Sequence, residues 1–148
     1  VNLTGDWSRE RVDGFLLEAR VPLRLSCQTP DGELWMLSLW YRWRDGAFEC
    51  ATSASADVVG YLEADPRVAV EVSTNDPPYR GVRGAGRASI EPDADKALIR
   101  ALLERYIGDT DSTLAERLLA PEREEVRITV APVRLYAWDF SARMRDAV

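Results

Sequence analysis

Ala51-Thr-Ser-Ala-Ser-Ala-Asp-Val-Val-Gly-Tyr-Leu-Glu-Ala-Asp-Pro-Arg-Val-Ala-Val-Glu-Val72 is the stretch whose reading decides the fold. It reads as the end of one strand, a two-turn helix and the start of another strand. Small hydroxylic residues stand at the strand-to-helix junction, where helix N–H groups without intrahelical partners point outward and can meet an anion.

Outward from that stretch the chain is mostly strand. Val21 to Thr29 alternates apolar and polar residues, and Pro30-Asp31-Gly32 turns it. Glu33 to Arg44 is predicted as a second strand, with Leu34, Met36, Ser38, Trp40 and Arg42 on one face. Trp35, Leu37, Leu39, Tyr41 and Trp43 take the other face. One face can line a core; the other needs a cover, which a second subunit, a flat aromatic ligand or the terminal helices, packed over two of the rings, would supply. Asp45-Gly46 favours a tight hairpin into a third strand, Ala47 to Thr52. Pro66 to Ser73 and Tyr79 to Ile90 follow as the fourth and fifth, and Gly81, Gly84 and Gly86 mark a bulge or close backbone approach. Glu125 to Phe140 is the sixth.

Helices are few. Ser8 caps one over Arg9 to Ala19, with Val12, Phe15, Leu16 and Ala19 on one face. Others are expected over Ser55 to Ala64, Asp93 to Tyr106 (stripe Ala97, Ile99, Ala101, Leu102, Leu103) and Thr113 to Leu119. Six short-spaced strands with flanking helices predict a mainly β fold, a six-stranded antiparallel barrel in one domain over residues 1–148.

Composition narrows the function classes. A chain of 148 residues can bury about 68–70% of its unfolded surface. The formal charge of −6 argues against nucleic acid as a partner, since phosphate neutralisation needs excess cations. Of the 19 basic residues only Lys96 is lysine, so any phosphate grip would be a guanidinium fork. No histidine is present, which removes the commonest general base and leaves no metal site around Cys27 and Cys50. Both cysteines are expected as buried thiols on strands. No window reaches the length of a membrane span and no signal-peptide pattern opens the chain, so a cytoplasmic location is expected.

The order of these pieces resembles the pyridoxamine 5′-phosphate oxidase-like split-barrel flavoproteins. The resemblance rests on Val21-Pro-Leu-Arg-Leu-Ser, Ser38-Leu-Trp-Tyr, the Asp45-Gly46 hairpin and Ala51-Thr-Ser. It extends through Ala64-Asp-Pro-Arg-Val-Ala-Val, Val82-Arg-Gly-Ala-Gly-Arg-Ala and Val133-Arg-Leu-Tyr-Ala-Trp-Asp-Phe. It implies a split β-barrel, a homodimer, and FMN in clefts between the subunits. The flavin ring would lie along Met36, Leu37, Ser38 and Leu39, and Thr52, Ser53 and Ser55 would reach its ribityl chain or phosphate. Arg80, Arg83 and Trp138 are further candidates for cofactor contact.

Two departures stand out. Many members open the helix after Thr-Ser with an Arg-Lys pair for the FMN phosphate; here those places hold Asp57 and Val58. At about 1.5–3 kcal/mol per charge-assisted hydrogen bond, losing both weakens FMN by about two to four orders of magnitude unless other groups substitute. The C-terminal Arg-x-His element of true pyridoxamine phosphate oxidases is also missing, which argues against vitamin B6 oxidation. The resemblance therefore implies an FMN-dependent oxidoreductase acting on a small molecule, with no assignable catalytic residue. A deazaflavin-dependent reductase and a non-enzymatic or flavin-free split barrel are the alternatives.

Overall fold

The computed structural model describes residues 1–145. Its strands are β1 (Asn2–Gly5), β2 (Leu23–Gln28), β3 (Leu34–Leu39), β4 (Tyr41–Arg44), β5 (Ala47–Ser53), β6 (Arg67–Ser73), β7 (Arg80–Pro92) and β8 (Glu125–Asp139). Helices α1 (Arg9–Glu18), α2 (Asp57–Ala64), α3 (Ala97–Tyr106) and α4 (Thr113–Leu118) flank them. The strands form one curled sheet in the order β3-β2-β6-β7-β8-β5-β4. All pairs on that path are antiparallel, while β1 pairs in parallel with β8. β3 also touches β5, which curls the sheet around its core as a split barrel.

The mainly β split-barrel class stands, but the sheet has eight strands where six were expected. The predicted second strand breaks at Trp40 into β3 and β4. Side-chain parity survives the break: Leu39, Tyr41 and Trp43 are all buried. Trp40 leaves the strand to stack on Tyr106, ring centroids 5.2 Å apart at 7°. The added strand, β1, is short and polar, and its partner supplies its place: it pairs with β8 at Arg134–Ala137.

Local signals shape the rest. Ser8 caps α1, its hydroxyl accepting from the Arg11 N–H at 3.3 Å, and Val12 and Leu16 are fully buried. Asp45 and Gly46 both adopt positive φ, 53° and 74°, as a primed hairpin turn requires. The glycine-rich strand carries its register shift at Ala85/Gly86. The α3 stripe is displaced from the expected one: Leu98, Ile99, Leu102 and Leu103 are the buried residues. This set follows the i, i+1, i+4, i+5 spacing of a single helix face, and the helix itself begins at Ala97 rather than Asp93 because Asp95 and Lys96 turn left-handed, φ 60° and 55°.

Two apolar layers result. The barrel core joins Leu23, Leu25, Tyr41, Phe48, Cys50, Val70, Ile128 and Leu135 with faces of α1 and α2. Ile99, Leu103 and Ala115 pack with Trp40 and Ala51 in a second, smaller cluster beneath α3 and α4. On the opposite part of the sheet, built from β1, β8, β7, β6 and β2, the outer face carries a groove lined by strand residues alone.

Candidate functional site

The groove on the outer sheet face has a volume of about 510 Å³. Its floor follows from strand alternation. On β2, Leu23, Leu25 and Cys27 point inward, so Arg24 and Ser26 point out. The same alternation turns Ala69 and Glu71 of β6 outward, with Arg83 and Ala85 of β7 and Arg134 and Tyr136 of β8. Register then aligns them. One continuous cross-strand row runs Ser38, Arg24, Glu71, Arg83, Tyr136, Thr4. The next runs Met36, Ser26, Ala69, Ala85, Arg134, Asn2.

Charge in the groove is uneven. Arg24, Arg83 and Arg134 line it against one carboxylate, Glu71, which accepts a hydrogen bond from Ser73 Oγ at 3.0 Å. Among the described residues none of the three guanidiniums lies within 4.0 Å of a carboxylate oxygen. Arg83 instead rests on aromatic faces, 4.6 Å from the Tyr136 centroid and 5.2 Å from that of Trp138. Arg24 donates to the carbonyl of Pro22 at 2.9 Å. Gly84 lets β7 and β8 approach beneath this row, since a Cβ there would collide with the Arg134 carbonyl.

The structure distributes the sequence-predicted residues over three places. Of the Met36–Leu39 stretch, Met36 and Ser38 are exposed on the outer face, whereas Leu37 packs on the core and Leu39 is buried within it. Only Met36 and Arg83 of the expected set line the groove, with Trp138 lying under the Arg83 guanidinium.

Thr52, Ser53 and Ser55 sit elsewhere, at the β5–α2 junction. Thr52 faces Val126 and Ser53 faces Glu125 in the ladder. The two serine hydroxyls are 3.0 Å apart, and Ser55 N–H donates to Ser53 Oγ at 3.3 Å. These hydroxyls bond one another, a self-contained turn. Val58, at the second place of the expected cation pair, is 1% exposed and belongs to the core.

Arg80 occupies the third place. It pairs with Asp139 at the far end of β7, while Thr52, through Val126, aligns with Pro92 at the near end. About 40 Å of extended strand separates Arg80 from Pro92 along β7. Arg80 lines clefts of about 490 and 300 Å³ beside Phe15 and Glu18 of α1. Its odd spacing from Arg83 also places the two arginines on opposite faces of β7.

A wider cleft of about 770 Å³ lies between Ala54, α3 and the α4–β8 loop. It mixes Asp93, Asp95, Glu124 and Glu125 with Lys96, Arg100 and Arg123, so it holds no net positive field. The buried Asp93 carboxylate caps α3, accepting from Leu98 and Ile99 N–H groups at 3.1 Å each. Among the described residues no group of three or more His, Cys, Asp or Glu could hold a metal ion, and no helix is long and apolar enough to cross a membrane. Burial pushes the Cys50 thiol up to about 12, with Glu49 adding to the rise, so this cysteine is no nucleophile at neutral pH.

Sequence reasoning overlooked Arg24, Glu71, Arg134 and Tyr136. The signal was available in part: Arg24 and Ser26 are the polar alternates of an otherwise apolar strand. What joined them to Arg83 and Arg134 was the strand order, which sequence spacing does not carry.

No protein-family profile matches the sequence, and no curated protein matches it. Solved structures do. A conserved hypothetical protein from Mycobacterium tuberculosis is 26% identical, with a TM-score of 0.74 over 90% of this chain and 86% of that one. A protein named F420 Reductase is also 26% identical, with a TM-score of 0.68 over 81% of this chain and 92% of its own. A candidate pyridoxamine 5′-phosphate oxidase from Listeria innocua shares the fold at 12% identity, TM-score 0.64, over 86% of this chain and 95% of that one. The strand order, the Asp45-Gly46 hairpin, the β5–α2–β6 unit and these matches agree: the chain has the split-barrel fold of these proteins and is similar to the pyridoxamine 5′-phosphate oxidase-like split-barrel family.

Proposed function

We propose that this protein is a flavin-type oxidoreductase working as a cytoplasmic homodimer, with FMN as its cofactor and a small organic molecule as its substrate. The observation that carries the reading is the 510 Å³ groove on the outer sheet face, lined by Met36, Tyr136 and three arginines, Arg24, Arg83 and Arg134, none of which meets a carboxylate among the described residues, with Arg83 stacked over the Tyr136 ring. A planar ring with an anionic tail has that combination of surfaces. When bound, the cofactor itself supplies hydride or electron transfer. The chain's own residues then orient it and exclude water, which suits a protein without histidine. A second copy laid over the outer face would complete the cover and bring groups to the groove that one protomer lacks.

A deazaflavin coenzyme is the second reading. It is favoured by the groove's arginines and by the neighbour named F420 Reductase. A non-enzymatic flavin holder is the third, consistent with Asp57 and Val58 in place of the cation pair.

Purified protein titrated with FMN and with the deazaflavin coenzyme, followed by quenching of ring fluorescence, separates the first two. Saturable quenching by FMN at micromolar levels supports the leading reading. Binding of the deazaflavin alone replaces it with the second. Bound FMN that no reduced nicotinamide bleaches points to the holder, and no uptake of either ring ends all three.

A further inference from the structure

We infer that the cleft between Ala54, the start of α3 and the α4–β8 loop binds a small primary amine, whose ammonium group donates to Glu125 Oε2 while its carbon chain lies on Leu119, Pro121 and Val126. The cleft shares no lining residue with the outer groove, so the site stands or falls apart from the flavin-type reading.

One oxygen atom carries the inference. Glu125 opens β8 with its side chain wholly buried, and only one of its carboxylate oxygens is engaged. Oε1 accepts from Arg123 Nε; Oε2 is buried with no hydrogen-bond partner among the described residues. A buried carboxylate oxygen without a donor is costly, and such acceptors are normally met by protein, water or ligand. Glu125 is also fixed where it stands. It pairs with Ser53 of β5, its carbonyl accepts from Asp93 N–H at 2.9 Å, and Arg123 holds the first oxygen. Because Glu125 lines the cleft, a donor entering there can meet Oε2.

The surrounding charges favour a cation. Asp93 is occupied, accepting from the Leu98 and Ile99 N–H groups with one oxygen each. Lys96 Nζ donates to the Arg123 carbonyl, tying the start of α3 to the loop across the mouth of the cleft. Asp95 and Glu124 are exposed at the rim, and neither meets a cation within 4.0 Å among the described residues. Arg100 opposes them, leaving four lining carboxylates against three cations. Among the described residues no three His, Cys, Asp or Glu gather for a metal ion, and Ala54, Pro92, Leu119, Pro121 and Val126 offer a carbon chain an apolar wall. A primary ammonium suits this lining: it is compact and carries three donors, one for Oε2 and others for the rim.

The test is an amide-resolved NMR titration of the full chain with three probes. Butylammonium has the chain, the charge and the N–H donors. Butan-1-ol keeps the chain and a hydroxyl donor without the charge, and tetramethylammonium keeps the charge without a donor. Butylammonium is expected to give saturable shifts confined to the cleft, at Ala54, Lys96, Leu119 and Val126, with the millimolar affinity of so small a ligand. Each control should bind about tenfold more weakly, the effect of one charge-assisted hydrogen bond. Glu125→Gln should weaken butylammonium by about the same factor and leave butan-1-ol unchanged. Glu124→Lys, at an exposed position where folding is not at stake, should weaken butylammonium several-fold at low salt, with the difference closing as salt is added.

Equal binding of butylammonium and butan-1-ol would make the cleft a merely apolar pocket and overturn the inference. A folded Glu125→Gln protein that binds butylammonium as the wild type does would show that water serves Oε2, and overturns it too. Should Glu125→Gln not fold, Glu124→Lys and tetramethylammonium decide: an unchanged affinity in the first, or binding as tight as butylammonium by the second, overturns the inference, and the expected losses support it. Shifts spread over the acidic surface instead of the cleft also overturn it. Binding of the amine by a protein that takes up neither FMN nor deazaflavin sinks the flavin-type reading and supports this site.

Discussion

Arg105 of α3 donates to the carbonyl of Leu17 at the end of α1, 2.8 Å away, across the rim of the barrel. The same guanidinium donates to Leu16 O at 3.0 Å and to Ala19 O, and lies 4.9 Å from the Tyr41 ring centroid. The C-terminal carbonyls of α1 thus receive a cation from another helix, where helix ends leave acceptors unsatisfied and favour positive charge. Arg105→Ala is expected to lower stability by about 3 kcal/mol, since hydrogen bonds to a charged group contribute more than neutral ones. Arg105→Lys should recover only part, for want of the planar fork. Urea midpoints for the three proteins would decide it; a loss below the scatter of the measurement would show that water serves those carbonyls equally well.

Much of the fold was legible because its determinants are local. Ser8 before α1, Asp45-Gly46 between β4 and β5, and the glycine series of β7 each state a backbone requirement in the residues themselves. Cys27 and Cys50 are buried on strands as expected. The break at Trp40 was not legible, because its cause is a stacking partner, Tyr106, far along the chain. β1 was missed for a similar reason: Asn2-Leu-Thr-Gly5 has no pattern of its own and is a strand only because β8 offers an edge. The candidate site divides along the same line. Alternation alone sets Arg80 and Arg83 on opposite faces, but only the sheet order assembles Arg24, Arg83 and Arg134.

Glu49 should be the most sensitive charge in the sheet. Its carboxylate is 8% exposed and meets Arg42 at 2.9 Å, Arg44 at 3.3 Å and Arg127 at 3.5 Å. Removing one member of a buried ionic cluster leaves the others uncompensated. The arginines keep partial contact with water, so Glu49→Gln is expected to cost about 2 kcal/mol rather than the larger penalty of a fully buried pair. Adding Arg42→Met should recover some of that loss. If the double variant is less stable than the sum of the two single changes, the cluster is not acting as a charge-balanced unit.

Asp139 gives the protein an acid-side pH dependence. Burial alone would raise its carboxyl, but hydrogen bonds from Ser141 and from Trp7 Nε1 at 3.2 Å, with the Arg11 charge at 3.1 Å, outweigh that and hold it below the usual carboxylate range. A folded-state value below the unfolded one contributes stability above the unfolded value, about 3.9, and loses it as pH falls through the folded value. Asp139→Asn should therefore be less stable than wild type at pH 7, with the gap narrowing below about pH 4. Thermal unfolding of both proteins between those limits is the measurement. A gap of constant size would assign the effect to lost geometry and not to charge.

Gly84 links the backbone to the proposed site. It lies on β7 opposite Leu135, beneath the row that carries Arg83 and beside the strand that carries Arg134. An alanine there would drive its Cβ into the Arg134 carbonyl, with the Leu135 Cδ2 methyl another 3.0 Å contact. Backbone cannot yield as a flexible side-chain tip does, so β7 and β8 must separate. Forced overpacking of this kind typically costs about 1–3 kcal/mol, and Gly84→Ala is expected in the upper half of that range. Because the displaced carbonyl belongs to Arg134 itself, the variant should also weaken binding of FMN more than that of riboflavin, even at temperatures where it is fully folded. Equal weakening of the two would mean that the strand approach supports the ring, and that Arg134 takes no part in holding the anion.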